Sequence, residues 1–503
     1  MTDIQWQRRA EAADLSIRNF ISGEARAVSA SSDTLIEKHS PRDGSLLYRF
    51  PEGSSADVDA AVASARSAFE DGRWSKLPLY QRAAVLNKLA DLLEEHKERF
   101  ALYESLDVGK PIMSALGSDI PLSASYLRSA ATNAGLVMGP SGADQGHFAY
   151  MRRKPVGVVA GIAGWNFPLA LATSKLAPAL IMGNCLVLKP SEFTSLSAQH
   201  LAALAIEAGM PAGVLNVVHG AGHTVGDALA NHQDVDLLSF VGSSATGKRI
   251  MQSAGASNMK RLILECGGKS PYLVFDDCPE DLEAVAADIV SKAFPNQGAL
   301  CVAGTRLLVQ ESMRDKLLPL VIEKAKAIRA ADPLDADTRF GALVNEAHMN
   351  KVLGYIESGL EEGAELLLGG KRVTPGEDAL AGGFYIEPTI FDGVKADARI
   401  AREEIFGPVL AVMTFKDEAE AIQLANASSF GLAAYAATTD LGRAQRLGEA
   451  INAGNLLVTG NPRPIGGWVN LPADKHRESG FGYSGGLEGL AAYTTSTTVR
   501  LLT

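Results

Sequence analysis

The pattern of apolar and polar residues changes character along the chain. Over residues 58–69 and 81–105, apolar side chains recur at three-to-four spacing with charges between them, which predicts amphipathic helices forming an opening helical layer. From Pro155 onward, strand-like runs alternate with helix-period stretches: 156–162, 169–182, 185–188, 198–208, 214–218, 225–231, 237–241 and 247–255. Short joints marked by Gly or Pro separate them. This alternation predicts βαβ units and a parallel sheet, with a nucleotide at the strand carboxyl ends. After residues 261–269 it resumes to about residue 470, as expected of a second α/β domain whose boundary lies near Gly267-Gly268. Residues 135–153 hold turn signals and an alternating tail (Phe148, Tyr150, Arg152), which predicts a β-hairpin.

Composition narrows the class. At 503 residues the chain exceeds the ~250–300 at which one core stops growing, so two or three domains are expected. A net charge of −11 argues against nucleic acid or an anionic membrane as the main partner and leaves small molecules. Four cysteines (Cys185, Cys266, Cys278, Cys301) without CxxC spacing disfavour a disulfide framework or a structural zinc site, and no metal is expected. The N-terminus lacks the apolar core of a secretory signal, and the longest apolar stretch, 176–188, is too short to span a membrane. A cytoplasmic location is expected.

Several joints carry chemistry. Cys301 follows a glycine turn and precedes small residues, which suits a presented nucleophile; a packed core cysteine is the alternative. Asn166, in Gly164-Trp165-Asn166-Phe-Pro168 between a strand and a helix, can aim its amide at a developing oxyanion or simply fill a turn. Lys189 and Glu192, in Leu-Lys189-Pro-Ser191-Glu192, can hold two ribose hydroxyls while the carboxylate repels a 2′-phosphate; a solvated pair is the alternative. Phe240-Val-Gly242-Ser243-Ser-Ala-Thr-Gly-Lys248 offers a helix N-terminus to phosphate. Arg249 stands where a P-loop has its hydroxyl, which disfavours an NTPase. Gly220-Ala-Gly222-His-Thr-Val-Gly226 is a weaker signal of the same kind. Glu265 closes a strand before Cys266-Gly267-Gly268 and can act as general base for water, with a solvated strand-end carboxylate as the alternative. Cys266 reads as a small packed residue.

In this order and spacing, these segments resemble the aldehyde dehydrogenase superfamily over nearly the whole chain. The stretches Leu264-Glu265-Cys266-Gly267-Gly268-Lys269-Ser270-Pro271, Gly298-Ala299-Leu300-Cys301 and Glu403-Glu404-Ile405-Phe406-Gly407-Pro408-Val409 carry the likeness. The resemblance implies an α/β fold with a Rossmann-like cofactor domain (1–134 and 154–266), an α/β catalytic domain (267–481) and a small β oligomerisation arm (135–153 and 482–503). A homodimer or homotetramer follows. It also implies oxidation of an aldehyde to the acid with NAD, NADP being disfavoured by Glu192. Cys301 would form a thiohemiacetal and then a thioester, Asn166 would hold the oxyanion, Glu265 would activate water and Lys175 would support proton transfer. Trp165, Lys189, Ser191, Glu192, Gly222, Gly226, Phe240, Gly242, Ser243, Gly267, Glu404 and Phe406 would bind the cofactor.

Stretches 84–91, 257–261 and 303–308 look most like γ-glutamyl-γ-aminobutyraldehyde dehydrogenases. Candidate pocket walls are Leu171, Ser174, Leu300, Val302 and Trp468. The chain departs from the family pattern at Ala299, where a Gln is usual, at Pro472-Ala-Asp-Lys475 in place of Pro-Phe-Gly-Gly, and at Ser484 in place of a Glu. Two other readings stay open: a CoA-acylating semialdehyde dehydrogenase, which shares the fold and Cys301 but needs no water-activating base, so that Glu265 argues against it, and a catalytically silent cofactor-binding protein, which the altered 472–475 loop motivates.

Overall fold

In a computed structural model, residues 3–30, 32–144, 147–376, 378–461 and 471–502 are described. Two sheets dominate. The first has eight strands, in the order Glu24–Arg26, Asn19–Ile21, Leu215–Val217, Cys185–Lys189, Val158–Ile162, Leu237–Val241, Arg261–Glu265 and Gly480–Phe481. Its five central strands are parallel. Chain order reverses on either side of Val158–Ile162, which makes its carboxyl end the switch point where open α/β sheets bind ligands. The strands are apolar on both faces because helices cover both, as the continuous burial of Cys185–Lys189 shows.

The second sheet has seven strands, in the order Glu365–Leu368, Thr389–Asp392, Val409–Phe415, Arg306–Gln310, Pro271–Val274, Ala433–Ala437 and Asn455–Thr459, parallel apart from the first pair. Each sheet has its own apolar core. The chain passes from Arg261–Glu265 in one sheet to Pro271–Val274 in the other through the Gly267-Gly268 pair. A third sheet joins Thr494–Leu502, His147–Pro155 and Ser141–Asp144, all antiparallel, so the expected hairpin is present and the C-terminal strand lies against it. Among the described residues no helix is long and apolar enough to cross a membrane.

Two expectations change. Residues 81–105 form two helices, Leu79–Glu95 and Lys97–Val108, because His96 leaves helical geometry at φ −95°, ψ 19°. The break turns the second helix inward until Phe100 to Val108 are all buried, a depth that an amphipathic surface pattern does not convey. The opening layer is also not purely helical, since Asn19–Ile21 and Glu24–Arg26 extend the first sheet antiparallel from Leu215–Val217.

Candidate active site

Cys301 is set by a strained turn. Asn296 (φ 48°) and Gln297 (φ 57°) both take the left-handed conformation and Gly298 follows at φ 74°, a run that costs a non-glycine chain about 1–2 kcal/mol per residue. Asn296 Nδ2 offsets part of this by donating to the Asn166 carbonyl at 2.9 Å. The half-buried Cys301 sulfur lies where burial pushes its thiol up, as do the charges of Glu265 and Glu404, while the N–H groups of Val302 and Cys301 pull the other way. The other three cysteines are buried. Cys266 packs its sulfur against Gly247, and burial followed by Glu265 and Glu404 pushes it up to about 11, so it is the packed residue expected.

Asn166 is 6% exposed, and its Nδ2 donates to the Ala299 carbonyl at 3.0 Å. One N–H is thereby fixed and the second remains for another acceptor. Gly268 brings the two sheets together at this point, since a Cβ there would overlap the Cys301 carbonyl oxygen. A Cβ on Gly267 would overlap the Glu404 carboxylate, which accepts the Gly268 N–H at 3.0 Å. Burial raises Glu404, opposed by that N–H and by Lys351 and Lys269.

Glu265 ends its strand with its side chain about one quarter exposed at 23%. Its Oε2 accepts from Ser484 Oγ at 3.1 Å and lies 3.8 Å from Lys475 Nζ. Lys175 is 4% exposed rather than a surface lysine. Burial lowers it to about 8, with Glu265 opposing and Lys475 adding to the fall. Its Nζ donates to Ser239 Oγ at 3.4 Å.

At the carboxyl end of the Cys185–Lys189 strand, Lys189 is 2% exposed and its Nζ donates to the Pro190 carbonyl at 2.9 Å and to Glu192 Oε2 at 3.3 Å. Glu192 Oε1 accepts the Gly222 N–H at 3.3 Å. Burial works to raise Glu192, yet Lys189 and these N–H groups together hold it below its ordinary value. This is an ordered pair, not a solvated one. Gly226 lies across from the Lys189 stem. Ser191 turns its hydroxyl to the Phe193 N–H. Ser243 caps the Ser244–Ala256 helix by accepting the Thr246 N–H at 3.2 Å, and the Phe240 ring is buried directly beneath Gly242. Phe406 adopts φ 60°, its carbonyl accepts from His348 Nε2 at 2.7 Å, and Trp165 packs edge-on against both rings at 5.1 and 5.0 Å.

Of the pocket walls, Leu171 packs beside Gly164, Ser174 Oγ donates to the Leu171 carbonyl at 2.9 Å, and the Val302 carbonyl is held by Tyr435 Oη at 2.9 Å. Leu300 is half-buried, and Trp468 lies outside the described residues. Sequence reasoning missed His348, Tyr126, whose phenol is pushed up to about 12 by burial and by the charges of Glu265 and Cys301, and the placement of Lys475. Among the described residues no cluster of metal-ligating side chains occurs.

The set fits a dinucleotide: a carboxylate–ammonium pair for a ribose, a capped helix N-terminus for phosphate and a second carboxylate, Glu404, beside the cysteine turn. Residues 27–499 match the model of the aldehyde dehydrogenase family. The chain belongs to that family. It is an aldehyde dehydrogenase, oxidising an aldehyde to the acid with reduction of a nicotinamide cofactor. The dehydrogenase is 44% identical over 495 residues to the NADP/NAD-dependent aldehyde dehydrogenase PuuC of Escherichia coli (strain K12), covering 98% of this chain and 97% of that one. Among solved structures it is similar to the P. syringae AldA indole-3-acetaldehyde dehydrogenase in complex with NAD+ and IAA, at 45% identity and TM-score 0.95 with both chains fully covered. It is also similar to the γ-glutamyl-γ-aminobutyraldehyde dehydrogenase of Burkholderia cenocepacia J2315, at 42% identity and TM-score 0.94, again with both chains fully covered.

Proposed function

We propose that this aldehyde dehydrogenase works through Cys301 as nucleophile, Asn166 as oxyanion donor, Glu265 as the base for water and Lys175 as a proton-transfer group. The supporting observation is that the Gly268 crossing, the Asn166–Ala299 bond and the left-handed turn converge on Cys301 from separate elements. The Cys301 sulfur loses its proton and bonds to the aldehyde carbon. The oxyanion accepts from the Asn166 amide and the Cys301 N–H. The carbon then gives up its hydride to the acceptor that the cofactor, when bound, would supply, which leaves a thioester on Cys301. Glu265 then takes a proton from water, the hydroxide adds to the acyl carbon of the thioester, and the Cys301 sulfur leaves with the carboxylic acid as product. Glu265 favours this hydrolytic course over acyl transfer to CoA.

Lys189, Glu192, Gly222, Gly226 and Ser243 would hold the adenosine and phosphates, with Phe240 and Gly242 forming the turn, and Trp165, Gly267, Glu404 and Phe406 would hold the nicotinamide end. Glu192 favours NAD over NADP, because its carboxylate stands where a 2′-phosphate would bring like charge. The chain divides into a cofactor-binding unit (1–134 and 154–266), a catalytic unit (267–481) and an arm (135–153 and 482–503). The arm exposes Phe148 and Leu501 on a three-stranded sheet, which supports assembly into a homodimer or homotetramer in the cytoplasm. The substrate class is an aldehyde of the kind taken by the relatives above, amino- or aryl-substituted.

Screening aliphatic, aromatic and amino-aldehydes with NAD, by absorbance of the reduced cofactor, tests the reading. C301S should be inactive with near-normal cofactor affinity, and C266S should be mild. Activity above a few per cent in C301S overturns the nucleophile assignment.

A further inference from the structure

Lys475 is a lysine from a surface loop whose side chain is 1% exposed. A backbone bridge sets it there: the Ala473 N–H donates to the Ser484 carbonyl at 2.9 Å, and the Ser484 N–H returns to the Ala473 carbonyl at 3.0 Å. Within this clamp Lys475 Nζ donates to the Gly482 carbonyl at 2.8 Å and to Ser484 Oγ at 2.5 Å. Ser484 Oγ in turn donates to Glu265 Oε2 at 3.1 Å, and Nζ itself lies 3.8 Å from that oxygen. The loop is also sewn to the strand end that carries Glu265. The Cys266 N–H donates to the Ser479 carbonyl at 2.9 Å, Ser479 Oγ donates to the Gly267 carbonyl at 2.7 Å, and Gly480 pairs with Glu265.

An ammonium in so dry a place is costly without an anion, and burial does lower Lys475, with Glu265, Asp474 and Cys301 opposing. The other titratable groups around Glu265 are Lys175 from the Pro168–Ile181 helix, Tyr126 from the Ile120–Asn133 helix, Tyr493, and the Cys266 and Cys301 thiols. Of the two cations, Lys475 is tied to Glu265 through a shared hydroxyl, whereas Lys175 donates to Ser239.

We propose that Lys475 is a positioning residue for thioester hydrolysis, holding the Glu265 carboxylate fixed in direction through the Ser484 hydroxyl. It touches neither substrate nor cofactor and acts only through Glu265. The inference rests on the reading of Glu265 as the base for water. Hydride release, which precedes hydrolysis, does not need the pair.

The test uses the full-length wild-type, K475M, K475R, S484A and E265Q enzymes with propanal and NAD, reading the rapid burst of reduced cofactor and the steady rate. K475M should keep a burst near one equivalent per site while the steady rate falls about tenfold or more. K475R should restore the steady rate. S484A should lose steady rate by a few fold with the burst intact, and it decides the matter if K475M does not fold. An unchanged steady rate in K475M, or burst and steady rate falling together without rescue by K475R, overturns the proposal; so does an unchanged S484A. E265Q separates the two layers: if it keeps full steady turnover the base assignment itself fails, and if it loses turnover while K475M and S484A behave as wild type only the Lys475 inference fails.

Discussion

Asn166 and Ala299 are joined by a side-chain to backbone hydrogen bond of 3.0 Å that ties the strand–helix joint of the first sheet to the turn presenting Cys301. The bond aims the Asn166 amide beside the Cys301 turn, so N166A loses both a donor and the aim. The expected result is a fall of about 10²–10³-fold in the rate of hydride release with cofactor affinity nearly unchanged. Stopped-flow absorbance and a fluorescence titration measure the two. A fall in affinity with normal hydride release would place Asn166 in cofactor binding instead.

Glu192 governs the choice of cofactor if its carboxylate, held by Lys189 and the Gly222 N–H, meets the adenosine ribose. The ratio of kcat/KM for NAD over NADP should exceed one in the wild type and shrink in E192Q. A wild-type preference for NADP would contradict the placement.

Gly268 has no room for a side chain, because a Cβ would meet the Cys301 carbonyl oxygen. G268A must push the two sheets apart or shift the nucleophile turn, at about 1–3 kcal/mol. Thermal unfolding should show a lower midpoint, and aldehyde oxidation should fall by more than the unfolded fraction accounts for. Wild-type behaviour in both would mean that the contact yields easily.

Lys175 carries a stability cost that follows from its pKa. Its value drops from the ordinary 10.5 to about 8 in the folded chain, chiefly through burial. Between those values the unfolded chain binds more protons, so stability rises with pH across that window and the penalty is fully present below about pH 8. K175M should therefore be more stable than wild type at pH 7, by about 1–3 kcal/mol, with a flatter stability profile from pH 8 to 10 and lower activity. Denaturant unfolding at several pH values checks the sign. A less stable K175M with an unchanged profile would contradict it.

The sequence made Cys301, Glu265 and Asn166 visible because each stands at a joint between elements that a nearby glycine or proline marks. The parallel sheet was visible for the same reason, through short apolar runs between helix-period stretches. What stayed hidden depends on contacts between distant segments. Nothing local to Lys475 indicates that a bridge from Ala473 to Ser484 will bury it against Glu265, some 210 residues earlier. Tyr126 lies on a helix far from either motif, and its proximity to Cys301 and Glu265 comes from how that helix packs. The inward turn at His96 likewise reflects a helix buried all round, for which an amphipathic period carries no signal.

The most direct test of the account traps the acyl group on sulfur. E265Q, mixed with an aldehyde and NAD and quenched after one burst, should give an intact mass raised by one acyl group, with peptide mapping placing it on Cys301. Steady turnover should be down by the ~10²–10⁴-fold of a lost general base, and hydroxylamine should partly restore it by attacking the stalled thioester. An acyl group on another residue contradicts the nucleophile, and absence of both burst and adduct would show that Glu265 acts before hydride release, taking the proton from the Cys301 thiol.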